Sequence, residues 1–286
     1  MYSRIDSPLG TNALPRQTSQ GFHQIDLQHS HSQAPETRRS GAQVLGSFID
    51  ALGWECVLTR IESWAHARES RHVSICNVHS VVSASRDARF KEVLAASDLA
   101  TPDGAPVAWM LRRQGFAGQP RVNGPDLMWA LFERCNANGI SIYFYGSTGE
   151  TLTLLEQRLR KTFPALRVAG MESPPFRALI AEEKAATVAR INASGAGIVF
   201  VGLGCPKQER WMAEHRGRIQ GVMIGVGAAF DFHAGTVQRA PVWMRNNGLE
   251  WLHRLVSEPG RLWKRYLVTN TLFVFGAIGQ LVFSRA

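Results

Sequence analysis

The sequence has no C-x-x-C pair among its four cysteines, Cys56, Cys76, Cys135 and Cys205. A chain of 286 residues, 45% of them hydrophobic, can bury its own core without disulfide staples. The cysteines therefore read as reduced thiols, Cys76 and Cys205 as buried inert ones, with no structural zinc. The G-x-G-x-x-G fingerprint is also missing, as is the P-loop pattern. The first absence counts against a nucleotide-binding oxidoreductase, which a parallel sheet would otherwise permit. The opening residues, MYSRIDSPLGTNALPRQTSQ, lack the central apolar run of a secretory leader. The only stretch near membrane-span length, Leu267 to Phe283, is 17 residues and includes Thr269, Asn270, Thr271 and Gln280. A full span needs about 20 mostly apolar residues. This stretch is expected to lie on a membrane or to pack on a partner.

What is present is positive charge. The formal net charge is +9 and the pI about 9.9. Such a balance favours anionic partners: nucleic acid, acidic lipid or a phosphorylated substrate. No nucleic-acid-binding module is recognisable, and the charge is concentrated beside the apolar tail, so nucleic acid is not the expected partner. Residues 1–42, rich in Ser, Gln, His, Pro and Arg, read as a disordered arm in which His23, His29 and His31 are solvated. Residues 43–246 read as an α/β domain, and 247–286 as a helical appendage.

Within the α/β region, short apolar runs bounded by glycine or polar residues predict buried strands at 72–76, 140–145, 166–170, 196–204 and 220–227. Helices are predicted at 125–138, 149–163, 176–194 and 206–217. Buried strands alternating with helices argue for a Rossmann-like, mainly parallel sheet with helices on both faces. Ligands of such sheets sit beyond the carboxyl ends of the strands. Three predicted strand ends carry glycines: Gly146 before Ser147, Gly202 with Gly204, and Gly225 with Gly227. They suit close backbone approach to a phosphate or nucleotide, or ordinary tight turns. Ser147 and Glu150 have capping-box spacing and predict a helix start.

Three segments place reactive side chains at that edge. In TPDGAPV, Asp103 follows a probable strand and precedes a helix starting near Ala105. It reads as a general base towards a hydroxyl, or as a helix N-cap. In RVNGPDL, Arg121 suits an anion or a surface ion pair, and Asp126 a cap or a hydroxyl contact. In CPKQERWM, Lys207, Gln208 and Glu209 open a helix, and Gln208 suits a sugar or base.

Together with YFYGSTGET, GVGAAFDFHAGTVQRAPVWM and GLEWLHRLVSEPGRLWKRY, these motifs resemble the WecG/TagA/CpsF glycosyltransferases, glycosyltransferase family 26, from about residue 44 to 266. The resemblance implies an inverting, metal-independent transfer of a sugar from a UDP-sugar to a polyprenyl-diphosphate-linked saccharide. It implies no cofactor, and roles in teichoic acid, common antigen or exopolysaccharide synthesis. Asp103 matches the family's proposed base. Arg121 and Gln208 match residues around the substrate, and Asp231 an acidic position of the nucleotide-sugar pocket. Asn77 matches the second position of a frequent Thr-x-Asn pattern, whose first position is here Ile75. The absence of a D-x-D-like motif beside a strand agrees with metal independence.

From Arg239 to Arg265 there are six basic residues against two acids, interleaved with Trp243, Trp251 and Trp263 and followed by Tyr266. Leu249, Leu252, Leu255 and Val256 recur at helical spacing. Aromatic and basic residues together suit an anionic membrane surface; a helix packed on the core is the other reading. In the resemblance, Arg254 and Arg261 match tail arginines that engage the diphosphate, with Lys264 and Arg265 at the next such position. The expected location is cytoplasmic, attached peripherally to the inner face of the cytoplasmic membrane, and the apolar tail leaves homo-oligomers open.

Overall fold

The protein is described by a computed structural model covering residues 39–283. The predicted disordered arm, with its three histidines, lies outside the described residues up to residue 38. Its last four residues are ordered. Arg39 pairs with Asp50 at 2.5 Å, and a hairpin of Gly41–Val44 (β1) and Ser47–Asp50 (β2) begins two residues later. Composition hides this hairpin because its strands are four residues long and partly polar.

After Trp54–His66 (α1), the chain builds a six-stranded sheet. Its strands are Arg71–Cys76 (β3), Leu99–Pro102 (β4), Ile142–Gly146 (β5), Val168–Glu172 (β6), Ile198–Gly202 (β7) and Val222–Gly225 (β8). The order is β4-β3-β8-β7-β5-β6, and every pairing is parallel. Between the strands run Val78–Arg86 (α2), Ala88–Ala95 (α3), Ala105–Arg113 (α4), Gly124–Asn138 (α5), Gly149–Thr162 (α6), Ala181–Ala193 (α7) and Lys207–His215 (α8). Then come Ala229–Ala234 (α9), Val242–Asn246 (α10), Glu250–Ser257 (α11) and Pro259–Phe283 (α12).

Alternation along the strands explains the layers. Ile142, Phe144, Ile198, Phe200, Val222 and Ile224 face one apolar cluster, shared with α1, α5, α6 and α9. Tyr143, Tyr145, Val199, Val201 and Met223 face another, shared with α7 and α8. The hairpin, α2, α3 and α4 enclose a third with Phe273 and Ala277 of α12. Both sheet faces are covered, which is why β5, β7 and β8 read as unbroken apolar runs.

One helix start and one helix cap differ from expectation for local reasons. The helix expected from residue 176 begins at Ala181, because Glu183 accepts the Ile180 N–H and pairs with Arg177, holding 177–180 outside the helix. The cap of α6 is Thr148, not Ser147. The Thr148 hydroxyl accepts the Thr151 N–H at 3.2 Å, while Ser147 sits at φ +61° and donates its own N–H to Gly202. Thr148→Ala is therefore expected to lower stability by about 1 kcal/mol, and Ser147→Ala by much less. Chemical denaturation of the two variants checks this; equal losses would restore the cap to Ser147.

The tail helix is longer than its apolar stretch. α12 runs for 25 residues because the basic GRLWKRY segment continues without a break into 267–283. By length and composition it is the single helix among the described residues that could cross a membrane, with 17% of its most apolar window buried.

Candidate active site at the carboxyl edge of the sheet

Because all six strands are parallel, the segments following β3, β4, β5, β7 and β8 emerge at one edge. Asn77, Asp103, Ser147, Gly204 and Gly227 all stand there.

Asp103 leaves β4 with its N–H donated to the Cys76 carbonyl at 2.9 Å. The N-cap of α4 is Gly104, at φ +84°, and no side chain caps that helix. The capping reading of Asp103 thus falls, and its carboxylate is not used to hold the helix. Burial pushes its pKa up to about 6; Arg121, the Gly104 amide and Arg254 pull the other way, and Glu250 adds to the rise. None of the described basic side chains lies within ion-pair distance of it. A half-buried carboxylate with this pKa takes up a proton readily near neutrality.

Arg121 is half-buried and pairs with Glu250 of α11 at 3.1 Å. Asp126 is not the cap of α5 either: Asn123 caps it, accepting the Asp126 N–H at 3.0 Å. The Asp126 carboxylate instead receives Asn123 Nδ2 at 2.7 Å and Arg239 at 2.5 Å. Arg239 reaches on to Glu250 at 3.4 Å. Sequence motifs do not single out Arg239 and Glu250, since Asp126 and Arg121, the partners that tie them to the site, lie 113 and 129 residues away.

Asn77 caps α2 through its Oδ1, which accepts the Ser80 N–H at 3.1 Å. Ile75 is buried in the core and its Cδ1 packs at Gly124, so packing fills the position where the resemblance often has a hydroxyl. Gln208 is buried; its Oε1 accepts the Gly204 N–H at 3.2 Å and its Nε2 donates to Glu209 at 2.9 Å. It shapes the loop after β7 from beneath, while Lys207 is exposed. Glu209 is buried with one carboxylate oxygen unpartnered, and burial raises its pKa.

The glycines divide into two kinds. Gly146 and Gly202 face each other across β5 and β7, where a Cβ on Gly146 would lie 2.6 Å from the Gly202 carbonyl. A Cβ on Gly225 would lie 2.9 Å from Gln208 Nε2. These three serve packing. Gly204 and Gly227 adopt positive φ in the loops at the edge, and a Cβ on Gly204 would meet no atom within 4 Å.

The tail closes the arrangement. Arg254 stacks over Phe232 at 5.6 Å and acts electrostatically on both Asp103 and Asp231. Asp231, half-buried on α9, has its pKa raised by burial, while Arg261 opposes the rise. Arg261 pairs with Glu258. Arg265 is half-buried; burial and the charges of Arg254 and Arg261 push its pKa down. Lys264 is exposed and lies over Trp263. The Nε atoms of Arg254 and Arg265 are buried without a hydrogen-bond partner. Three guanidinium groups thus gather near one carboxylate-bearing edge despite mutual repulsion, an arrangement that favours an anion. Among the described residues no three His, Cys, Asp or Glu side chains form a metal-ligand set. All four cysteines are free, and burial raises the Cys76 and Cys205 thiols well above their ordinary value.

Known proteins resemble this chain in sequence. The chain is similar to an N-acetylglucosaminyldiphosphoundecaprenol N-acetyl-beta-D-mannosaminyltransferase of Bacillus subtilis, 32% identical over 198 residues, 68% of this chain and 74% of that protein. A protein of the same description from Bacillus spizizenii is 31% identical over 185 residues, 64% of this chain and 70% of that protein. Residues 42–286 match the glycosyl transferase family WecG/TagA/CpsF. With that match reaching from the hairpin to the end of the tail, the chain belongs to the WecG/TagA/CpsF family of glycosyl transferases.

Proposed function

We propose that the protein transfers a sugar from a UDP-sugar to a polyprenyl-diphosphate-linked saccharide, with inversion, in the assembly of a cell-surface polysaccharide such as an exopolysaccharide. The observation that carries this reading is the pairing of an uncommitted carboxylate, Asp103, with the inward-facing arginines of the tail. Asp103 takes the proton of the acceptor hydroxyl as that oxygen bonds to the anomeric carbon. The bond from that carbon to the diphosphate breaks on the opposite face, and UDP carries away the electron pair. Arg121, Arg254, Arg261 and Arg265 meet the charge that develops there, a role suited to fixed cations in a site screened from water. These groups supply the neutralisation that a metal would otherwise give, so the reaction is read as metal-independent.

The two relatives' names describe an N-acetylmannosaminyl group and an undecaprenol-linked N-acetylglucosamine acceptor. That pair is the first to test with this chain. The packed Ile75 makes a different donor or acceptor the main alternative. The nucleotide-binding oxidoreductase and nucleic-acid readings lose their ground with the family membership.

The apolar surface of the tail supports a membrane location. Val256, Leu267, Phe275 and Phe283 are 74%, 62%, 71% and 80% exposed, while Arg254 and Arg265 turn inward. A tail that exposes hydrocarbon on α11 and α12 while two of its arginines turn inward suits a lipid surface on one side and an anionic substrate on the other. α12 is read as lying in the membrane plane on the cytoplasmic side. Gln280 accepts the Leu45 N–H at 2.9 Å and donates to the Gln43 carbonyl at 2.6 Å, ties that a crossing helix would have to break.

The test is a panel of UDP-sugars with undecaprenyl-diphosphate-linked N-acetylglucosamine, run with and without EDTA. Transfer from one UDP-sugar at the same rate in EDTA is expected. No transfer from any donor would reject the reading, and loss in EDTA restored by Mg²⁺ or Mn²⁺ would reject its metal-free form.

A further inference from the structure

The chain from Arg239 to Glu250 is tied to the catalytic edge by a half-buried charge network. Glu250 stands at the first position of α11, 17% exposed, between Arg121 at 18% and Arg239 at 19%. It accepts from Arg121 at 3.1 Å and from Arg239 at 3.4 Å. Arg239 also grips Asp126 at 2.5 Å and Asn123 Oδ1 at 3.1 Å, at the start of α5. Arg245 of α10 adds a longer pair to Asp126 at 3.6 Å. One carboxylate on the tail thereby joins two cations that come from separate parts of the chain.

We propose that Glu250 is a positioning residue, the latch that docks α11 on the catalytic edge and carries Arg254, one turn further along, to its place beside Asp103. The inference rests on the active-site reading above and goes beyond it, because that reading gives Glu250 no role. Apolar packing holds α11 only lightly: none of its residues is buried, Leu255 is half-buried, and Trp251 meets the edge of Tyr266 of α12 at 6.0 Å. Trp251, Leu252 and Val256 are exposed. Polar docking is then the means by which this helix finds its place, and partly desolvated ion pairs hold register better than exposed ones.

The latch has a second consequence. The groups facing Asp103 are Arg121 from the segment before α5, Arg254 and Glu250 from α11, the Gly104 amide from the start of α4, and the neutral Cys76 thiol at the end of β3. Glu250 is the negative one, and it also engages Arg121. Glu250 raises Asp103 more than Arg254 lowers it, so removing the Glu250 charge favours the ionised form even where α11 loosens and takes Arg254 with it. The acid limb of the rate profile should then move to lower pH, and an aspartate at this position should restore it.

The experiment uses the full chain with Glu250→Gln, Glu250→Asp and Arg239→Lys. Amide exchange of residues 250–257 is measured without substrate, and kcat/KM is measured against pH. Glu250→Gln is expected to speed exchange of α11 about tenfold or more, with the sheet unchanged. Transfer is expected to fall about ten- to a hundredfold, the scale of a misplaced group near the chemistry, and the acid limb to shift down. Glu250→Asp keeps the charge and should keep the limb near its original pH. Arg239→Lys loses the two-pronged grip and should loosen α11, with a smaller downward move of the limb than Glu250→Gln because the Glu250 charge remains on the helix. Unchanged exchange in all three variants overturns the latch, as does an unmoved acid limb in Glu250→Gln. If the parent protein transfers no sugar, the proposed function fails, yet the exchange measurement still decides the latch.

Discussion

Asp103→Asn is expected to reduce sugar transfer by roughly 10²–10⁴-fold, the range for loss of a general base, while UDP still raises the melting temperature. Asparagine keeps the size of the side chain and removes its basicity. The substitution is clean because Asp103 does not cap α4; Gly104 occupies that position. Two further outcomes have fixed signs. The base works only when ionised, so kcat/KM of the parent should fall as pH drops through about 6, the value to which burial pushes this carboxyl. The raised pKa also means that the folded chain binds this proton more tightly than the unfolded chain. Ionised Asp103 therefore weakens the fold above about pH 6. Asp103→Asn should melt at an equal or higher temperature at neutral pH, the sign expected of a residue kept for function. Near-normal turnover, or a pronounced drop in melting temperature, would assign Asp103 to structure.

The sequence carries the sheet better than its connections. β5, β7 and β8 are legible because a strand buried on both faces leaves an unbroken apolar run ended by glycine. β6 begins two residues later than its apolar run, because the Leu166 N–H is donated to the Phe163 carbonyl, closing the turn that follows α6. The β1–β2 hairpin is illegible, since GAQV and SFID carry neither a long apolar run nor strict alternation. At the site, Asp103, Arg121 and Gln208 can be named because they sit in short motifs, Asp103 and Gln208 after strands and Arg121 in the segment before α5. What each atom does cannot be read there. Gln208 uses both ends of its amide inward, and Asp126 is taken up by Arg239. Arg239 and Glu250 escape notice because an ion pair across 129 residues, such as Arg121 with Glu250, leaves no local pattern. The adjacent Ser147 and Thr148 show the same limit at short range. Both are capping residues, and only the backbone, with Ser147 at φ +61°, decides between them.

The tail offers the second large effect, and the fold changes how it has to be tested. Truncation after Gly248 is expected to abolish both transfer and vesicle binding, because Arg254, Arg261 and α12 leave together. It also strips Phe273 and Ala277 from the apolar cluster beneath the hairpin. Loss of one buried phenylalanine costs about 3–5 kcal/mol, so part of the damage would be to the core. The two faces of α12 separate the effects. Thr269, Phe273 and Ala277 recur every four residues and are buried; Phe275, Ile278 and Val282 lie on the other side and are 71%, 56% and 59% exposed. Both faces are apolar, so the sequence shows one hydrophobic run where the structure has a docked side and a free side. The double variant Phe275→Asp, Ile278→Asp should leave circular dichroism and melting temperature near the parent's. It should lose co-sedimentation with anionic vesicles, since each charge placed at a lipid surface opposes both apolar burial and the negative surface potential. Transfer to a membrane-embedded acceptor should fall with it, while transfer to a short-chain soluble acceptor should persist, because Asp103 and the inward arginines are untouched. Salt should weaken parent binding only in part: Lys264 is exposed and worth about 1 kcal/mol at such a surface, whereas Arg254 and Arg265 face the site and Arg261 is paired with Glu258. A double variant that sediments as strongly as the parent would remove the membrane role from this face, and one that unfolds would place Phe275 and Ile278 in the core.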